Sequence, residues 1–285
     1  MSVPVPTSEL RDYLAKTGKA LQTVTLLVKA IETLEKSPVD NVYRIEKLVG
    51  EVQKATAGLP PDGETKRKVD TWLSACVSRL QTHKGELRRA FGVSLESLLK
   101  EQGFELKGQY PELRAGFYSI EVDFDKAQAT IWYGPKQELM VKARLSPSEV
   151  VKQVQRIHKA LTNRPLNEEG FLKRLHEAYL RTLSRIGRKE GEHAPILQVL
   201  AEYVFLEQDR RFYTDPRKEH FKGYGRACFS YDLYRLRQRR LLGRELSLVV
   251  ATRANTVKRE SFLWVPTDDK GNGTVYAYLH FRGVT

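Results

Sequence analysis

Cysteine is scarce in this chain: Cys76 and Cys228 are the only two, far apart and without C-x-x-C spacing. That pattern gives no paired-cysteine motif, and both residues are read as reduced thiols. No apolar run approaches the roughly 18 residues that a bilayer span requires, so no membrane partner is expected. The opening Met1-Ser2-Val3-Pro4-Val5-Pro6-Thr7 lacks the basic flank and hydrophobic core of a secretory signal, and a cytoplasmic location is the expectation. Walker A loops and Gly-x-Ser-x-Gly elbows are missing, which removes the motif-borne routes to nucleotide hydrolysis and serine catalysis. His83, His158, His176, His193, His220 and His280 show no metal-ligand spacing, and neither repeats nor low-complexity tracts occur. No cofactor is expected.

Charge of one sign is abundant, and it is concentrated. Residues 209–259 hold 14 Arg or Lys against 5 Asp or Glu, a surplus of nine out of the whole chain's +13. Aromatic rings are interleaved with it: Phe212, Tyr213, Phe221, Tyr224, Phe229, Tyr231 and Tyr234. Guanidinium groups pair with phosphate and flat rings stack on bases, so DNA or RNA is the first partner to consider. The opposing reading buries these rings in a C-terminal core and leaves the arginines as a solvated rim.

Hydrophobic residues at 41% and charged residues at 29% describe a folded chain rather than a disordered one. Its pattern predicts an α+β fold in three parts. Residues 1–103 read as a helical bundle or a coiled-coil arm. Leu10, Leu14, Thr17, Leu21, Val24, Val28 and Ile31 alternate steps of four and three, and Val69, Leu73, Cys76, Leu80, His83, Leu87 and Ala90 repeat the seam. Breaks fall at Ser37-Pro38 and at Gly58-Leu59-Pro60-Pro61-Asp62-Gly63. Residues 104–208 switch to alternation, with strands predicted over 118–124, 127–133 and 139–143, followed by three helices that are expected to cover this meander. Ser146-Pro147-Ser148-Glu149 has the form of a helix start. Residues 209–285 return to strands, continuous or not with the preceding part.

The expected function is a non-enzymatic, nucleic-acid-binding accessory subunit. Its phosphate contacts are assigned to Arg210, Arg211, Arg217, Lys218, Lys222, Arg226, Arg235, Arg237, Arg239 and Arg240, with Tyr213 and Tyr224 as stacking residues. Gly223 and Gly225 flank Tyr224 and allow close approach of another group to the backbone. One alternative is a protein-interaction subunit that docks or self-associates through residues 7–103. A second is a metal-dependent nuclease using Glu121 and Asp123, with Asp125, Glu138 and Lys142 nearby, although Met140 stands where a Glu-x-Lys pair would need its carboxylate.

Overall fold

The computed structural model describes residues 7–61 and 63–283 and divides into two compact units. Residues 1–6, read above for a signal sequence, and Asp62, in the second predicted break, lie outside the described residues. Helix and antiparallel sheet are both present, as an α+β fold requires. No helix among the described residues is long and apolar enough to cross a membrane.

The first unit runs to residue 97 and adds 124–127 and 144–149. It contains α1 (Thr7–Leu34), α2 (Val42–Ala55) and most of α3 (Glu64–Glu101). Apolar residues every three or four positions bury one stripe of each helix: Ala20, Val24 and Ile31 on α1, Val42, Ile45, Val49 and Val52 on α2, Leu73, Cys76 and Leu80 on α3. Helix α2 has 14 residues against 28 in α1, about 21 Å against about 42 Å. The turn closing α2 meets α1 at Ala20, where a Cβ on Gly58 would stand 3.0 Å from the Ala20 Cβ. The start of α1 therefore extends past its neighbour. Leu10, Leu14 and Leu21 are 54, 59 and 40% exposed, so the predicted seam is buried only in its second half. Polar clamps hold the 124–127 turn to this unit: the Tyr43 hydroxyl donates to the Phe124 carbonyl at 2.8 Å, and Arg88 pairs with Asp125 at 3.0 Å.

In the second unit, five short strands form a consecutive antiparallel meander: β1 (Leu106–Gln109), β2 (Glu112–Ala115), β3 (Tyr118–Asp123), β4 (Gln128–Tyr133) and β5 (Glu138–Arg144). The last three are the strands that alternation predicts. The first two, with the sequences LKGQ and ELRA, are too short and polar to give that signal. A second sheet contains β6 (Ala194–Pro195), β7 (Arg240–Leu241), β8 (Arg244–Val250), β9 (Leu263–Pro266) and β10 (Gly273–Gly283), ordered β6-β10-β8-β7 with β9 also paired to β10.

The helices of this unit are α4 (Pro147–Thr162), α5 (Glu168–Arg185), α6 (Ile196–Leu206), the single-turn α7 (Arg210–Thr214) and α8 (Arg226–Arg235). Helix α4 begins inside the predicted capping motif, and its His158 sits against the meander, 3.3 Å from the Tyr118 hydroxyl. The expectation that all three helices cover the meander is corrected for α5 and α6. Phe171, Leu175 and Tyr179 of α5 and Ile196, Val199 and Tyr203 of α6 share a core with Phe229 and Leu233 of α8 and with Leu246, Leu263, Leu279 and Phe281 of the C-terminal sheet. An amphipathic stripe requires an apolar face to cover but does not say which sheet supplies it. The same core draws on residues from both sides of residue 208. Ser230 ties the two sheets together, accepting from the Tyr133 hydroxyl at 3.0 Å and donating to the Trp264 carbonyl at 2.6 Å.

Two imidazoles in this unit are held neutral. Burial lowers the His158 pKa, opposed by Asp269, and burial with Arg282 and His193 lowers that of His280, which is 3% exposed. The unfolded chain therefore binds more protons than the folded one once pH falls below the ordinary imidazole value of about 6.5. Stability is complete above that value and declines toward pH 5. Urea titrations across pH 5–8 should show this decline, and His158→Gln/His280→Gln should flatten it; an unchanged slope in the double variant would assign the decline to other groups.

Candidate nucleic-acid interface

The basic segment begins as a closed loop, and its closure starts from one amide. Gln208, 7% exposed at the end of α6, donates from Nε2 to the carbonyls of Val204 at 2.7 Å and Lys222 at 3.0 Å. Its Oε1 accepts from the Lys222 backbone N–H at 2.8 Å. Two of these bonds fasten residue 222, and the third ties the amide back to α6. Inside the loop, Asp209 Oδ1 accepts from the backbone N–H groups of Arg211 and Phe212, capping α7. His220 Nδ1 lies 2.9 Å from the Asp215 carbonyl. The Phe212 ring sits 5.6 Å from Phe221 and 5.9 Å from Tyr213, and the Tyr213 hydroxyl donates to the Phe205 carbonyl.

This arrangement turns three rings outward. Phe205, Tyr213 and Phe221 are 49, 61 and 41% exposed, although each is anchored through its backbone or a neighbouring ring. Arg210, Arg211 and Lys218 of the same loop are exposed and have no carboxylate partner among the described residues. Arg217 pairs with Asp215 at 2.9 Å. Lys222 reaches Glu207 at 3.5 Å, a carboxylate that Arg174 also holds at 2.8 Å. The exposure of Phe205 and Phe221 has no sequence signal of its own; it follows from where the loop closes.

A buried carboxylate supports the far end of the loop. Asp232 on α8, 2% exposed, accepts from the Tyr224 hydroxyl at 2.6 Å, from Arg164 at 3.0 Å and from Arg235 at 2.7 and 3.0 Å. Arg235 also donates to the Arg164 carbonyl at 2.6 Å, and the Arg164 guanidinium lies 5.1 Å over the Tyr224 ring. Burial and the adjoining Asp232 carboxylate raise the Tyr224 phenol well above its ordinary pKa. Tyr224 is half-buried, with Arg164 over its ring and Tyr203 beside it. Arg235 is likewise part of this internal support. Both are assigned to nucleic-acid contact from sequence; the structure pairs both with Asp232.

Gly225 explains the close approach that its flanking position allows, and the approaching group is not a phosphate. Glu138 of β5 accepts from the Ala227 backbone N–H at 2.6 Å, at the start of α8. A Cβ on Gly225 would come 2.4 Å from Glu138 Oε1. The carboxylate thus does the work of a cap from another strand, and it suits the positive end of the helix. Arg226 is the first residue of α8 and is half-buried. Beyond α8 the chain is extended, and Glu168 accepts from the backbone N–H groups of Arg237 and Gln238 at 2.9 and 3.0 Å. Arg237 and Arg239 are exposed without a carboxylate partner among the described residues, whereas Arg240 lies 3.7 Å from Glu245.

The strand carboxylates considered for metal binding have other partners. Glu121 accepts from Lys136 at 2.9 Å and from the Trp132 indole at 3.3 Å, and the Lys136 bond lowers its pKa. Lys136 also holds Glu112. Asp123 stands opposite Gln128 in the backbone register of β3 and β4 and is half-buried, Asp125 belongs to the other unit, and Lys142 is exposed on β5. Among the described residues, no group of three or more His, Cys, Asp or Glu is placed to hold a metal ion.

Truncating Asp232 would leave two guanidiniums and a phenol without their common acceptor. Asp232→Ala should cost about 3 kcal/mol in chemical denaturation, the scale for removing one partner of a buried ion pair. An Asp232→Ala variant as stable as the parent would show that water replaces the carboxylate without loss. No family model, curated protein or solved structure matches this chain.

Proposed function

We propose that this protein is a non-enzymatic nucleic-acid-binding accessory subunit that contacts its ligand through the closed loop 209–222. One observation carries the reading: three exposed rings, Phe205, Tyr213 and Phe221, lie in or beside a loop whose exposed Arg210, Arg211 and Lys218 have no carboxylate partner among the described residues. The loop is held at both ends, so little ordering entropy is lost when it meets a ligand. Exposed rings stack on unpaired bases, and unpaired cations take the phosphates between them, which favours a single strand over a duplex. Arg237 and Arg239 extend the set of available cations.

Fluorescence anisotropy with labelled single-stranded oligonucleotides across a salt series tests this. Affinity should fall steeply with salt, and Arg210→Ala/Arg211→Ala/Lys218→Ala should make the log–log slope shallower by about 2, at about 0.7 per lost contact. Tyr213→Ala should weaken binding by about 1–3 kcal/mol, the range for one stacked base, with the slope unchanged. A flat salt response in the parent protein would overturn the proposal.

A second reading, a protein-interaction subunit docking through the helical region, has one observation in its favour. Leu10, Leu14 and Leu21 occupy heptad seam positions on α1 yet are exposed, with Tyr13 beside them at 50%. Seam positions of this kind bury themselves on another helix when one is supplied. If the occupant is a second copy, light scattering should report a dimer that Leu10→Glu/Leu14→Glu converts to a monomer; a monomeric parent protein at high concentration would remove self-association.

A further inference from the structure

The helical unit contains a second cationic feature, independent of the loop. A cavity of about 470 Å³ lies between the start of α2, the turn before it and the 144–149 segment, all residues of that one unit. Arg44 and Lys47 line it from α2, one turn apart, and Arg144 lines it from the end of β5. The first turn of the 16-residue α4 forms another part of the wall through Ser146, Ser148 and Glu149. Tyr43, Ala127 and Leu145 supply apolar surface.

The charges on this wall are loosely satisfied. Arg144 stands 3.8 Å from Glu149 and Lys47 stands 4.0 Å from Glu51. Among the described residues, Arg44 has a single 3.5 Å contact, to the Asn41 side-chain oxygen. Just outside the cavity, by contrast, Lys84 and Arg88 pair with Glu46 and Asp125 at 2.6 and 3.0 Å. Three cations from two segments share the cavity with two carboxylates, Asp40 and Glu149, and a helix start adds partial positive charge. A volume near 470 Å³ is within the range of small-molecule sites, about 300–1,000 Å³.

We infer that this cavity binds a small phosphate monoester. Arg44, Lys47 and Arg144 take the phosphoryl oxygens, and Tyr43, Ala127 and Leu145 cover the organic part. Asp40 and the serine hydroxyls Ser37 and Ser146 are placed on the same wall to accept from or donate to hydroxyl groups of the ester. The phosphate can belong to a free metabolite or to the 5′ end of a nucleic acid, and the chemistry at the cavity is the same.

Calorimetric titration of the full chain with adenosine 5′-monophosphate, ribose 5-phosphate and adenosine tests the site. The two phosphates should bind saturably and adenosine should not. Arg44→Ala and Arg144→Ala should each weaken binding at least tenfold, about 1.4 kcal/mol. Arg210→Ala/Arg211→Ala, in the other unit, should leave it unchanged. Circular dichroism checks that each variant is folded, and Arg144→Lys should recover part of the affinity. Oligonucleotides with and without a 5′-phosphate then separate the sources: a gain from the phosphate that Arg144→Ala abolishes assigns a strand end, and no gain assigns a free ester. No saturable binding at millimolar phosphoester would overturn the inference. So would adenosine binding as well as its phosphate, or affinity that follows the loop variant instead.

Discussion

A carboxylate removed from water must find donors or revert to its neutral form, and Asp232 finds three donor side chains. They come from different places in the chain: Arg164 from the connection between α4 and α5, Tyr224 from the end of the basic loop, and Arg235 from the last turn of α8. Because the acceptor is shared, none of the three segments can shift without leaving another group unpaired. Phe229, one turn before Asp232, and the adjacent Leu233 fix α8 in the apolar core, so the ion cluster and the core position the same helix. Glu138 fixes the other end of that helix from β5. The loop 209–222 rests on this frame, held by Gln208 at its neck and by Tyr224 just beyond it.

Much of this architecture was legible in the sequence, and what was not has identifiable causes. Alternation over 118–133 and the capping motif at 146–149 carry enough local information to define strands and a helix start, and both are present. The pairing of α5 and α6 with the C-terminal sheet was not legible, since a buried stripe such as Phe171, Leu175 and Tyr179 is equally suited to either apolar face. Likewise the heptads of α1 give a direction for burial but no length for the partner, and α2 ends near Ala20. At the candidate interface, composition singles out a segment without distinguishing its paired cations from its unpaired ones. Arg235 and Arg211 have the same chemistry on paper; only the third dimension puts Asp232 beside the first and solvent around the second.

That sorting changes what the segment's charge means. A surplus of nine in residues 209–259 suggests a polycation, yet Arg217, Lys222, Arg235 and Arg240 each face a carboxylate at 2.7–3.7 Å. Each such pair either excludes a phosphate or requires the internal partner to be displaced first, and Arg235 is further held by the Arg164 carbonyl. Among the described residues, Arg210, Arg211 and Lys218 in the loop and Arg237, Arg239, Arg253 and Lys258 beyond α8 are exposed without a carboxylate partner. A handful of contacts of this kind gives weak, salt-sensitive binding, while stacking on three anchored rings adds affinity that salt does not screen. Such a surface suits a subunit whose ligand is already delivered by a larger assembly, where tethering raises the effective concentration and weak contacts suffice. The accessory role we propose thus follows from the number of cations left unpaired, and the total charge of the segment is a poor guide to it.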